Sequence, residues 1–597
     1  MKQTNIRNFS IIAHIDHGKS TLADRIMEQT DTINKREMQD QLLDDMAVER
    51  EHGVTVKSRT VRNVYKADDG QKYEFNFIDT PGHVDFSYEV SKSLAASDGA
   101  ILLVDATQGV QAQTVANFRL AQNNKLKILP VINKVDSPNA QIEMTESQIR
   151  DLAPELADVE ILQISAKTGL GVHEVLEAIT KDLPAPAGDA KAPLKALIFD
   201  SAYDTFKGVI AYIRLVDGKI TTQTKLKMMA NSETLSASEI GILTPMRVPV
   251  KEMSAGDVGY IVTGIKDPEH VRVGDTITDL DNPTETALPG YKPAKSMVFA
   301  GIFPVGEYKE LKDAIYKLKL NDSSLQITPE TSDALGAGFR GGFLGIFHLQ
   351  IIKERLHDEF GVEVLTTAPN VPYRIHLKKD DSVMEVNNPV QIPDFHEIDY
   401  IEEPMFNVKI DTPEDSISDV MKIADRFKGE FVDMSNGSKY AELTYKMPLS
   451  EIAYNFFNQL KSVSHGYASM TSEFVDYEMA DVVKAEVLVN YSHVDALTFV
   501  AHRSDVQAMS QKLVEKLKYT IPRRLQPMPT QIMVENKVVA RVDIPPLRKN
   551  AAVNGKKYST SKKQALLRKQ SSNKSQAARN EIQLPQKVFN AILDLDD

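Results

Sequence analysis

The apolar positions of this chain change their period several times along its 597 residues. Predominantly apolar runs at 8–13, 75–78, 100–105, 127–132 and 161–164 read as buried strands, and the first leads through a short loop into an amphipathic helix near 21–22. Strands apolar on both faces and separated by helical stretches predict an α/β domain with a parallel sheet. From about 192 to 280 the texture becomes short alternating strands with hairpin signals such as Asp217-Gly218, which predicts a β-barrel. Two later stretches, 294–376 and 405–485, each mix helix-length periodic runs (near 308–320 and 345–360, then 414–427 and 449–463) with strands, and read as α+β. A strand and helix over 487–517 open the last stretch, and apolar positions return in a strand-like pattern at 582–595. Domains are accordingly expected at 1–185, 186–288, 289–385, 395–485 and 486–597.

Composition refines this picture in two places. With no cysteine in the sequence, disulfides, thiolate metal sites and cysteine nucleophiles are excluded, which fits a reducing compartment. The N-terminus is polar and no apolar run is long enough to span a bilayer, so a cytoplasmic protein is expected. The net charge of −13 hides a segregation: residues 487–597 carry 19 Lys plus Arg against 9 Asp plus Glu, which leaves −23 on the preceding 486 residues. Between 546 and 580 there are ten basic residues and no acidic one, the pattern of a polyanion-binding end on an acidic body.

The first domain carries candidate chemistry at its strand ends. Strand, Ala13-His14-Ile15-Asp16-His17-Gly18-Lys19-Ser20-Thr21, then helix is a phosphate-binding loop, with Ala13 in place of the usual first glycine. Backbone N–H groups from Asp16 to Thr21 can wrap a phosphate, Lys19 can neutralise its oxygens, and Ser20 can place a hydroxyl on Mg²⁺. Asp79-Thr80-Pro81-Gly82-His83 follows the next strand: Asp79 can hold the Mg²⁺ shell through water, Gly82 can approach a γ-phosphate, and His83 is placed to orient an attacking water. Thr55, in the charged segment 49–57, is the candidate second hydroxyl on Mg²⁺. Asn133-Lys134-Val135-Asp136 selects the base, because a carboxylate at 136 can accept from both N1–H and the N2 amine of guanine, whereas adenine offers a lone pair at N1. Asn133 and the Lys134 stem would brace the base, and Ser165-Ala166-Lys167 can touch the guanine carbonyl oxygen. All four motifs in this order, each after a strand, indicate GTP as substrate with Mg²⁺.

These motifs resemble the translational GTPases. The resemblance implies that His83 is the catalytic residue, set in place on the large ribosomal subunit beside the sarcin–ricin loop, that Ile15 and Val54 form an apolar gate before it, and that Asp16 helps close the phosphate site. Segments 334–345, 461–469 and Leu547-Arg548-Lys549 extend the resemblance over nearly the whole chain to the LepA, or elongation factor 4, family. That family resembles elongation factor G without its tRNA-mimicking fourth domain and carries its own C-terminal domain. It implies ferredoxin-like modules for both α+β stretches and a basic α+β domain at the end. Arg548, Lys549, Lys556, Lys557, Lys562, Lys563, Arg568 and Lys569 become RNA-contact candidates, on a loop and a basic helix near 564–579, with salt-sensitive binding of weak sequence preference.

What the resemblance implies is a monomeric, ribosome-activated GTPase that engages both subunits of the 70S ribosome and tRNA. It would promote one-codon back-translocation under stress and so support fidelity. The alternative is an assembly or initiation factor for which hydrolysis only times release. The family adds at most peripheral association with the cytoplasmic face of the cell membrane. Two departures stand out: His52 occupies a position where the family usually has arginine, and Gly555-Lys556-Lys557-Tyr558 replaces its usual Tyr-Gly-Gly-Asp. They read as a divergent member, or a second copy beside a standard one.

Overall fold

The computed structural model describes residues 2–33, 43, 46–52, 54–82, 84–244, 246–267, 270–289, 295–322, 324–379, 382–436, 440–464, 467–524, 526–547 and 588–589. His83 and all eight RNA-contact candidates lie outside the described residues.

The first domain consists of β1 (Ile6–Ala13), α1 (Lys19–Gln29), α2 (Ala47–His52), β2 (Arg59–Lys66), β3 (Lys72–Asp79), α3 (Ser87–Ala95), β4 (Gly99–Asp105), α4 (Ala112–Asn123), β5 (Lys127–Asn133), α5 (Ile142–Asp151), β6 (Leu162–Gln163) and α6 (Val172–Asp182). Its sheet has the order β2-β3-β1-β4-β5-β6, with only β2 antiparallel to its neighbour. The strand pleat explains why the central runs are apolar on both faces. Phe9, Ile11, Ile101 and Leu103 enter one core with α1 and α6, while Ile12, Ala100, Leu102 and Val104 enter another with α3, α4 and α5. Helix α1 is held by Leu22, Ala23, Ile26 and Met27, an i, i+4 stripe that is fully buried. Strands β1, β3, β4 and β5 end at one sheet edge, so the residues that follow them are gathered there.

Eight antiparallel strands form the second sheet, with a separate two-stranded antiparallel ladder, Lys219–Thr221 with Glu252–Ser254, beside it. Leu235 from its first strand and Ile240 from near its last share one core, so the sheet wraps on itself as a barrel. The third unit places α7 (Tyr308–Asn321) and α8 (Ile346–Phe360) on four strands in the order Gln326–Ser332, Gly336–Phe343, Val298–Pro304, Val364–Thr366. This is the ferredoxin-like split βαβ arrangement, and it recurs in the fourth unit, where Ile398–Pro413 lies between Tyr440–Pro448 and Ser469–Ala480.

Two boundaries move. Tyr373–Leu377 and Val383–Val386, all but the last residue of which fall within the expected domain at 289–385, form a hairpin that pairs with residues 398–402 of the fourth sheet. Alternation marks a strand without naming its partner, and the 16-residue strand Ile398–Pro413 is long enough to serve two neighbours along one edge. The last unit begins before the expected 486, because its first strand, Val482–Val489, pairs from Val482 onward with Phe499–His502 and then with Met528–Val534 under the helix Val506–Thr520. Val588 and Phe589 return into that core, but in helical backbone rather than as a strand.

Candidate nucleotide site

At the carboxyl edge of the first sheet, Lys19 is the hub. Its buried Nζ donates to Asp79 Oδ1 at 2.6 Å and to the Thr55 hydroxyl at 2.7 Å. The two oxygens read from the sequence as Mg²⁺ ligands therefore already meet at one cationic centre, and Ser20 adjoins it on the chain. An all-oxygen set at a place already organised around positive charge suits a hard cation. Gly82 lies against Ile15, one of the two expected gate residues, whose side chain would be 3.7 Å from a β-carbon at 82. Val54 is buried, and its N–H donates to Glu49 O at 3.0 Å.

The loop itself is shaped by backbone geometry. Asp16 and Gly18 both have positive φ, 62° and 94°. At Gly18 a β-carbon would fall 2.4 Å from Asn133 Nδ2, so glycine is required there for space as well as for conformation. Ala13 ends β1 outside the positive-φ region, which is why the usual glycine is dispensable at this position.

Asn133 ties three motifs together. Its Nδ2 donates to His17 O at 2.8 Å, and its Oδ1 accepts from the Ala166 N–H at 2.8 Å. Lys134, at φ 62°, runs its side chain under the phosphate loop to Asp16 O (2.6 Å) and Asp105 Oδ2 (2.8 Å). The Val135 N–H donates to Ile164 O at 3.2 Å, and Asp136 stands exposed beside this turn. Ser165 and Ala166 are buried and Lys167 is exposed. Thr21 is exposed at the start of α1.

Two contributors carried no sequence signal. Arg25 on α1 donates to Ala166 O (3.0 Å) and Lys167 O (3.1 Å), bracing the guanine-side loop. Glu49, fully buried, accepts from the backbone N–H groups of Met46, Val56 and Lys57, and so folds the segment that presents Thr55. Each joins positions that only the tertiary fold brings near, so neither spacing nor composition could reveal it.

His17 is enclosed completely, with Nδ1 accepting from the Asp105 N–H at 3.3 Å. Burial pushes its pKa down to about 4 against the opposing pull of Asp105. A histidine neutral in the fold and protonated when unfolded stabilises fully above the unfolded value near 6.5. That contribution, roughly 3 kcal/mol at most, is lost as pH falls from there toward about 4. Thermal unfolding of wild type should therefore lose more stability between about pH 7 and pH 5 than that of His17→Gln. Parallel pH profiles for the two proteins would refute this.

Comparison with known proteins gives this geometry its relatives. Residues 4–185 match the family model for the elongation factor Tu GTP-binding domain, and 208–278 that for elongation factor Tu domain 2. Residues 400–488 match the elongation factor G C-terminus, and 489–594 the C-terminus of the GTP-binding protein LepA. The chain is 59% identical to elongation factor 4 2 of Lactiplantibacillus plantarum, with all of both chains covered. The chain belongs to the elongation factor 4 family. Against elongation factor 4 of Bacillus subtilis identity is 47%, covering all of this chain and 98% of the relative. A crystal structure of a Thermus thermophilus protein has the same fold, with a TM-score of 0.57 at 18% identity over 80% of this chain and 97% of that one. As an elongation factor 4, the chain is a translational GTPase that binds and hydrolyses GTP. Among the described residues, no helix is long and apolar enough to cross a membrane.

Proposed function

We propose that this elongation factor 4 is a ribosome-activated GTPase that acts on elongating 70S ribosomes, promoting one-codon back-translocation of tRNAs under stress. The observation that carries the reading is one chain joining a nucleotide site, gathered around Lys19 and Asn133, to a segment at 489–594 that matches the LepA C-terminus. The protein works in the cytoplasm as a monomer, by this reading. Its higher identity to the relative named elongation factor 4 2 (59%) than to that of Bacillus subtilis (47%) supports a second-copy type.

In this mechanism the loop N–H groups from Asp16 to Thr21 and the Lys19 ammonium hold the phosphates. Lys19 exchanges Asp79 and Thr55 for phosphate oxygens, which frees those two residues to hold Mg²⁺ together with Ser20, Asp79 acting through water. When bound, Mg²⁺ neutralises charge on the transferring phosphoryl group. Gly82 offers its N–H to the γ-phosphate, His83 orients the attacking water, and Ile15 and Val54 keep that approach closed until the ribosome opens it. Asp136 reads the guanine edge, with Ser165, Ala166 and Lys167 at its carbonyl oxygen. The basic residues Arg548, Lys549, Lys556, Lys557, Lys562, Lys563, Arg568 and Lys569 contact RNA.

GTP turnover with and without 70S ribosomes tests the reading, and the expected result is strong stimulation by the intact particle. Stimulation only by isolated subunits would move the function to assembly, and no stimulation would sink the ribosomal reading. Deleting 546–580, which removes ten positive charges, should weaken ribosome binding most at low salt while sparing nucleotide affinity.

A further inference from the structure

Helix α8 of the third unit touches both segments that flank the γ-phosphate side of the site. The first contact comes two residues after His83, where Asp85 Oδ2 accepts the N–H of His348, in the first turn of α8, at 3.3 Å. Gly345, just before the helix, leaves room for that carboxylate: a β-carbon there would lie 2.5–2.7 Å from its atoms. The Gly345 backbone is extended, with φ −174°, so the glycine supplies space and not an unusual conformation. Next along the chain, Phe86 packs edge-on against Phe347 and His348, ring centres 6.0 Å away in each case. His348 is itself locked: Nδ1 accepts the Leu344 N–H at 3.1 Å, which leaves Nε2–H to donate to Asp322 Oδ2 at 3.1 Å, just past α7.

The other segment, which carries Thr55, lands on the same helix. His52 Nε2–H donates to Glu354 Oε2 at 2.7 Å, and its ring stands edge-on to Phe347 with centres 5.7 Å apart. Val48 and Val56 share a small buried cluster with Phe86, Leu344 and Ile351. Lys57 Nζ reaches Asn321 O, the last carbonyl of α7, at 3.1 Å. The histidine at 52 thus has a use of its own here, because a neutral imidazole still donates to Glu354.

We propose that α8 is the bearing that sets both segments for hydrolysis, with Asp85, His52 and Glu354 as positioning residues for the γ-phosphate side of the site. The carboxylate of Asp85 is favoured at a helix N-terminus, and the helix and the small cluster touch both segments. A shift of the third unit therefore moves the chain beside His83 and the chain beside Thr55 together. The proposal rests on the role given above to His83.

The test uses the full chain with Asp85→Ala, Gly345→Ala, their combination, Asp85→Asn and Glu354→Ala. Turnover is measured with and without 70S ribosomes, and nucleotide affinity with a fluorescent GDP. Asp85→Ala and Gly345→Ala should each lower kcat on the order of tenfold or more while affinity holds. The double variant should be no slower than Asp85→Ala, since both changes break one contact. Asp85→Asn keeps an acceptor for the His348 N–H and should restore most of the rate. Wild-type kcat in both alanine variants, or losses that multiply in the double variant, would overturn the proposal. Should either variant fail to melt cooperatively, Glu354→Ala decides: it removes the acceptor for His52 Nε2–H and should lower kcat, and an unchanged kcat there would overturn the proposal. A wild type that ribosomes do not stimulate counts against the ribosomal reading alone, since basal turnover still reports on the bearing.

Discussion

Asp136→Asn is expected to move base preference from guanine to xanthine, changing the ratio of GTP to XTP affinity on the order of 10⁴-fold. The carboxylate is read as accepting from guanine N1–H and from the N2 amine. An asparagine keeps one acceptor for N1–H but presents an amide N–H to the N2 amine, two donors facing each other. Xanthine carries a carbonyl oxygen at that corner and restores the pair. The architecture isolates the change, because Asp136 is exposed while Asn133 is fixed between His17 O and Ala166 N and Lys134 between Asp16 O and Asp105. The frame of the site should therefore survive, and the loss should be confined to base choice. Competition of GDP and XDP against a fluorescent nucleotide measures the ratio; an unaltered guanine preference would show that another group reads the base.

The central strands of the first sheet were legible because they are buried on both faces and must be apolar almost without interruption, as at 101–104, whereas the half-exposed edge strand β2 was not read. The motifs were legible because a phosphate loop is local: the backbone turn, Lys19 and Ser20 lie within a few residues of one another. Pairing across the chain was not. The hairpin at 373–386 has a clear strand pattern, yet its neighbour is decided by the long strand that begins at Ile398. Glu49 looks like any surface acid until the segment it folds is seen wrapped around its carboxylate. The same holds for Gly345, whose reason lies in Asp85, 260 positions earlier in the chain. His52 stood out in the sequence as a departure from its family, but its partner Glu354 belongs to a helix that no motif connects with it.

His83→Ala is the second large effect: ribosome-stimulated kcat should fall by about 10²- to 10⁴-fold with GTP affinity intact. Among the described residues, Lys19, Asn133 and Lys134 join the nucleotide segments to one another, so nucleotide affinity is expected to survive the change. What the histidine is asked to supply is an oriented water at the moment of transfer. Phosphoryl transfer needs little early proton abstraction, so position and charge matter more than basicity. Glutamine at 83 should therefore retain more turnover than alanine, because its amide can still hold a water. A group that acts only in the transition state lowers kcat and kcat/KM together and leaves nucleotide affinity alone. Single-turnover hydrolysis on saturating 70S ribosomes, read beside fluorescent-GDP binding, separates these outcomes. A His83→Ala protein that turns over at the wild-type rate would transfer the catalytic role to another residue. One that loses nucleotide binding in step with turnover would make His83 a binding residue instead.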